Sequence, residues 1–150
     1  MMKEYRHQKI LVPVDGSKMT HHLMERAIEI AKQNDAQLDI LNVIQIDQLT
    51  DGFASAMEID DDGTYQMVKT IEERLDDLQK MAEKAGVANV HIHMRFGNPK
   101  EVIAREFPHD HRTDLTIIGA TGLSRVASFF VGSTTAYVVR YSPCDVMVIH

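Results

Sequence analysis

Two glycine clusters carry the chemistry that this 150-residue sequence can offer. Ile117-Ile118-Gly119-Ala120-Thr121-Gly122 holds the first, and Gly132-Ser133-Thr134 follows after nine intervening residues. Residues 115–118 are an apolar, β-rich run that breaks at Gly119. Residues 133–140 can form a helix, with Ser133 or Thr134 offered as its N-cap. A strand therefore runs into a glycine-punctuated loop, and a helix begins where the loop ends. Glycine lets backbone approach a ligand closely and take positive φ. The free N–H groups of a helix's first turn, with its dipole, favour an anion. Together these residues read as a phosphate cradle of backbone N–H groups, supplemented by the Ser133 and Thr134 hydroxyls. Glycines that merely serve a loop of an α/β domain are the plainer alternative. The spacing G-x-x-G-x9-G-[ST] is the more specific feature.

Turnover at such a cradle would need more. Phosphoryl transfer requires metal ligands, a positioned nucleophile and cations on the transferring group. The loop offers Arg125 as a cation, and Thr121 is a hydroxyl between two glycines with no base beside it in sequence. No lysine precedes Ser133, so the Walker A pattern is absent, as is G-x-G-x-x-G. The sequence points to a nucleotide-binding regulatory protein with slow or no hydrolysis, not to an enzyme. An ATPase or nucleotidyl-transfer enzyme is one alternative, and a dimeric scaffold with an empty site is another. His91 and His93 share a face but lack a third ligand nearby, and the acids between 47 and 63 lack the EF-hand pattern. No metal site is assigned to either.

The elements that must position the cradle alternate along the chain. Lys9-Ile10-Leu11-Val12-Pro13-Val14-Asp15 reads as a buried strand ending at an Asp-Gly-Ser turn. Ser17 is expected to cap a helix over 18–34, whose Leu23, Met24, Ala27, Ile28 and Ala31 recur at helical spacing. Residues 38–46 form a second strand, and 47–63 a flexible acidic insertion. A long helix over 64–85 ends at Gly86. Residues 90–96 alternate as an edge strand does, with His91, His93 and Arg95 on its wetter face. After Gly97-Asn98-Pro99 comes a short helix over 100–107. A polar loop over 108–112 follows, its histidines facing solvent. The strand at 115–118, the cradle, the last helix and a fifth strand over 144–150 complete the pattern.

Strands separated by helices make a single-domain, open, doubly wound, parallel five-stranded α/β sheet with helices on both faces, its order 3-2-1-4-5. Ligands in such sheets sit beyond the carboxyl ends of the strands, where the order reverses. Asp15 and the Gly119 loop would then be opposite lips of one crevice. There Asp15 could accept from an adenine amino group or a ribose hydroxyl, or simply end its strand.

Composition narrows the class. The chain is 44% hydrophobic and 25% charged, as ordinary globular domains are. No apolar run approaches the roughly 20 residues that span a bilayer, and the N-terminus carries no apolar signal region. A net charge of −6 argues against nucleic acid and anionic membranes as partners. The lone Cys144 fits a reducing, cytoplasmic setting.

The glycine spacing resembles the nucleotide-binding signature of the universal stress protein family, in its ATP-binding subclass. The resemblance runs from Ile10 to Ile149. It takes in Val12-Pro13-Val14-Asp15-Gly16-Ser17, Leu41-Asn42-Val43, Gly97-Asn98-Pro99, Thr113-Asp114-Leu115 and the strand after Pro143. It implies ATP, with Mg2+, as ligand and a role in stress response. Adenine would be held by Asp15, by the Pro13 and Val14 backbone, and by Val43. Ribose and phosphates would fall to Gly119, Thr121, Gly122, Ser124, Arg125, Gly132, Ser133 and Thr134. The insertion at 47–63 is not diagnostic of the family. A homodimer is expected as well, joined through residues 145–150, which open on Asp145 and end on His150. That strand falls at a sheet edge and is apolar on both faces, and the family commonly pairs there.

Overall fold

The computed structural model describes residues 5–45, 61–121 and 131–150. Strand β1 (Lys9–Pro13) lies at its centre, with Ile10, Leu11 and Val12 fully buried. β2 (Gln37–Gln45), β3 (Val90–Gly97), β4 (Leu115–Gly119) and β5 (Asp145–Ile149) complete a five-stranded sheet in the order β3-β2-β1-β4-β5. Every pairing is parallel, so all five carboxyl ends open onto one end of the sheet.

Alternation along β1 divides the core in two. Ile10 and Val12 face α1 (Met19–Asn34) and α2 (Asp61–Lys84), where they meet Met24, Ala27, Ile28 and Leu75. Leu11 faces the opposite layer, built from α3 (Pro99–Glu101), a π-helical segment (Val102–Glu106), α4 (Phe107–His111) and α5 (Ser133–Tyr141). The helices thus cover both faces, as a doubly wound sheet requires. Asp114 ties the entry of β1 to that of β4: its carboxylate accepts from the N–H groups of Gln8 at 2.8 Å and Lys9 at 3.1 Å.

Three local expectations are corrected. Ser17 does not cap α1; Lys18 stands at the cap with no side-chain bond, and the Asp15 carboxylate accepts from the Ser17 N–H at 3.0 Å instead. An Asp two residues ahead closes a local turn that competes for the capping role. Neither Ser133 nor Thr134 caps α5, whose cap is the extended Gly132. The segment 108–112 is helical up to His111, and only Arg112 turns left-handed, at φ 53°. Pro108 sits where proline favours a helix start, and the fully buried Phe107 anchors the turn. His111 stacks on the Phe107 ring, with centroids 4.1 Å apart, and so does not simply face solvent.

Candidate functional site

A cleft of about 650 Å3 opens at the carboxyl ends of β1, β2 and β4. From the β1 and β2 side it is lined by Pro13, Val14, Asp15 and Val43; from the β4 and α5 side by Gly119, Thr121, Gly132, Ser133 and Thr134. Residues 76 or more apart in sequence thus share one hollow, because β1 pairs with both β2 and β4. Gly122, Ser124 and Arg125 lie outside the described residues.

Each lip has a defined local cause. Pro13 ends β1, where a missing N–H costs no ladder bond, and the Val14 N–H crosses to the Leu41 carbonyl at 2.8 Å. Gly16 follows at φ +78°, a conformation that side chains rarely adopt. One Asp15 carboxylate oxygen is committed to the Ser17 N–H, and the other has no hydrogen bond among the described residues.

On the opposite lip the buried Thr135 hydroxyl donates to the Gly119 carbonyl at 2.7 Å, and the Gly132 N–H donates to the Ala120 carbonyl at 2.7 Å. These two bonds fix the start of α5 against the end of β4. The first-turn N–H groups of α5 have no acceptor within the helix, and they lie at the cleft beside the Ser133 and Thr134 side chains.

The two described glycines here are bare for different reasons. A Cβ on Gly119 would come within 3.2 Å of Met19 Cγ, so packing of α1 against β4 already disfavours a side chain. Gly132 has φ −62°, and among the described residues a Cβ there would meet nothing closer than the Ala120 carbonyl at 3.5 Å. The fold itself leaves room for a side chain at 132; the space it would take is cleft.

The glycine spacing did not lead to Arg74, Met67 or Ile71, which line the cleft from α2. They stand four and three residues apart, so they share one helix face. That spacing was available in the sequence, but Arg74 sits among acids and reads as solvated surface. Thr135 was missed because Ser133 and Thr134 stand closer to the expected cap.

The model of the universal stress protein family matches residues 6–150. The chain belongs to that family. A relative from Staphylococcus aureus (strain USA300) carrying the universal stress protein name is 38% identical over 143 residues, covering 95% of this chain and 84% of its own. Universal stress protein UspA from Lactobacillus plantarum superposes with a TM-score of 0.76 at 28% identity, covering 98% of this chain and all of that one. A universal stress protein solved in complex with cAMP has a TM-score of 0.71 at 25% identity, over 97% of this chain and 98% of that one. The family fold is the parallel β3-β2-β1-β4-β5 sheet described above. No described helix is long and apolar enough to cross a membrane.

Proposed function

We propose that the cleft binds an adenine nucleotide, ATP with Mg2+, and that the protein is a cytoplasmic, homodimeric stress-response regulator with slow or no hydrolysis. One observation carries the reading: a carboxylate with a free oxygen and a helix N-terminus face one hollow, beside a glycine that the fold does not need bare. Asp15 accepts from the adenine amino group or a ribose hydroxyl, while Pro13, Val14 and Val43 wall the base. Gly119 and Thr121 border the ribose and phosphates, and Gly122, Ser124 and Arg125, next in sequence, are assigned to the same groups. The α5 N–H groups, with Gly132, Ser133 and Thr134, receive the terminal phosphates. The cAMP-bound relative supports the ligand class. Among the described residues no group of three His, Cys, Asp or Glu side chains is placed to hold a metal ion. A magnesium ion would therefore arrive on the phosphates. No base approaches the Thr121 hydroxyl among the described residues, which favours a binder over a phosphotransferase.

Mass spectrometry of freshly purified, denatured protein, followed by calorimetry with ATP, tests the reading. A chain that carries no nucleotide and gives no binding heat at millimolar ATP would overturn it. Asp15→Ala is expected to weaken ATP and adenosine alike, by about 1–3 kcal/mol for a hydrogen bond to a charged group. Loss confined to magnesium-ATP would reassign Asp15 to the metal.

The homodimer rests on β5, which ends the sheet. Val146 and Val148 pack partly against one core layer and Met147 against the other, and no charge interrupts the three. An edge of this kind invites pairing. A two-fold axis would pair it antiparallel with its copy. Light scattering at tens of micromolar is expected to give a dimer, and Val148→Lys a monomer with unchanged circular dichroism. A monomeric wild type would end the proposal.

A further inference from the structure

We infer that Arg74 supplies the cleft with a positive charge for the nucleotide's phosphates, a role that rests on the adenine-nucleotide reading above. Arg74 is the only basic residue among the described residues that line the cleft. It projects from the α2 face that also presents Met67 and Ile71 there.

Its guanidinium lies on the backbone of Gly16: a Cβ at that glycine would stand 2.2 Å from Nη1 and 3.0 Å from Cζ. Gly16 therefore does two jobs. Its φ of +78° shapes the turn after Asp15, and its missing side chain makes the seat on which the guanidinium rests. Any other residue at 16 would have to displace the guanidinium from that seat.

No hydrogen bond or ion pair engages Arg74 among the described residues. Asp15, beside the Gly16 seat, turns one oxygen to the Ser17 N–H instead. Among the described residues this guanidinium at the mouth of the cleft has no carboxylate in ion-pair contact, in a chain of net charge −6, and so lacks a counter-charge there. Phosphate supplies one, and the planar fork suits its oxygens in pairs. β1 and β4 are neighbours in the sheet, so the Gly16 seat and the Gly119 lip border the same opening. A long, exposed side chain can swing from one toward the other without rebuilding the fold. The seated arginine keeps the charge at the cleft while the site is empty, and the phosphates draw it off the glycine. The backbone donors of α5 then hold the anion from one side and Arg74 from the other.

The experiment measures ATP and adenosine affinities by calorimetry at fixed salt for wild type, Arg74→Ala and Arg74→Lys. Arg74→Ala is expected to weaken ATP about tenfold and leave adenosine unchanged, with Arg74→Lys between the two for ATP. The ATP affinity of wild type should also fall with salt more steeply than that of Arg74→Ala. Equal weakening of ATP and adenosine would place Arg74 at the base or in support of the Asp15 turn, and would overturn the inference. Unchanged ATP affinity in Arg74→Ala would overturn it too, while leaving the nucleotide reading intact. A wild type that binds neither compound sinks both. Arg74 is exposed, so unfolding temperatures should agree among the three proteins; a drop in Arg74→Ala alone would mark a structural role and count against the inference.

Discussion

Gly132→Val is expected to abolish ATP binding, by a hundredfold or more, while the unfolding temperature stays within a few degrees of wild type. The reason lies in what the protein itself asks of residue 132. Its φ of −62° is open to any L-residue, and among the described residues the nearest atom to a new Cβ, the Ala120 carbonyl oxygen at 3.5 Å, is at ordinary contact distance. The Gly132 N–H bond to that carbonyl and the bond from the Ala136 N–H to the Gly132 carbonyl survive the substitution. The added methyls enter the cleft, where the phosphates are to meet the first turn of α5. Isothermal calorimetry with a thermal melt decides the matter. A variant that melts normally and binds ATP as wild type does would remove the phosphates from this lip.

The second large effect is on stability, on the sheet face that also carries α5. Asp39 is fully buried, and its carboxylate accepts from His93 Nε2 at 2.8 Å and from Gln37 Nε2 at 3.1 Å. Burial alone would push its pKa up. The hydrogen bonds from His93 and Gln37, with the charges of His93 and Lys9, outweigh burial and hold it below the ordinary value. His93→Ala leaves that carboxylate with half its partners, and is expected to cost about 3 kcal/mol in urea unfolding at pH 7. A cost below about 1 kcal/mol would mean that water replaces the imidazole without loss.

Acid titrates the same cluster in two windows. His111, whose ring centroid lies 4.9 Å from that of His93, has its pKa lowered by burial first, then by the charges of His93, Arg95 and Lys9, with Asp39 opposing. Its folded pKa lies below the unfolded one, so the unfolded chain takes the proton first. Stability therefore declines as pH drops below about 6.5. Asp39 is lowered as well, so its contribution is full above about pH 4 and is lost as pH falls through its folded value. His111→Phe keeps the stack on Phe107 and should remove only the upper decline. Urea midpoints between about pH 8 and 2 report both steps, and a wild-type midpoint that is flat from about pH 7.5 to 5.5 would contradict the upper one.

How much of this was legible in the sequence depended on whether the cause was local. The strands and long helices were, because burial imposes periods of 2 and 3.6 on residues such as Val12, Leu41, Ala27 and Leu75. Parallel pairing followed from the helical crossovers between them. Asp15 and Gly132 were legible as cleft residues because turn chemistry and glycine spacing are written in adjacent residues. The Ser17 cap was misjudged because Asp15 closes a local turn on the Ser17 N–H, and the Thr20 N–H goes to the Ser17 carbonyl and not to its hydroxyl. The helical turn at 107–111 was hidden because its polar letters mask one buried ring, Phe107, that decides the packing. Arg74 and the Asp39–His93 pair depend on contacts 54 or more residues apart, and no local pattern records them.

The place of β1 has a consequence for the chain as it is made. β1 gains one neighbour through residues 37–41, but its other edge waits for Leu115 and Thr116. At roughly 5–20 residues per second of synthesis, that edge of apolar Ile10, Leu11 and Val12 stands open for some seconds. Nascent chains stalled between residues 45 and 115 should therefore be the form most prone to aggregate or to recruit chaperones. Nor can a ligand shorten the wait, since the cleft draws on Gly132 and Ser133 as much as on Asp15. Nucleotide can reward only a chain that has already brought its last helix home, so any rescue of folding by ATP must act after synthesis, not during it.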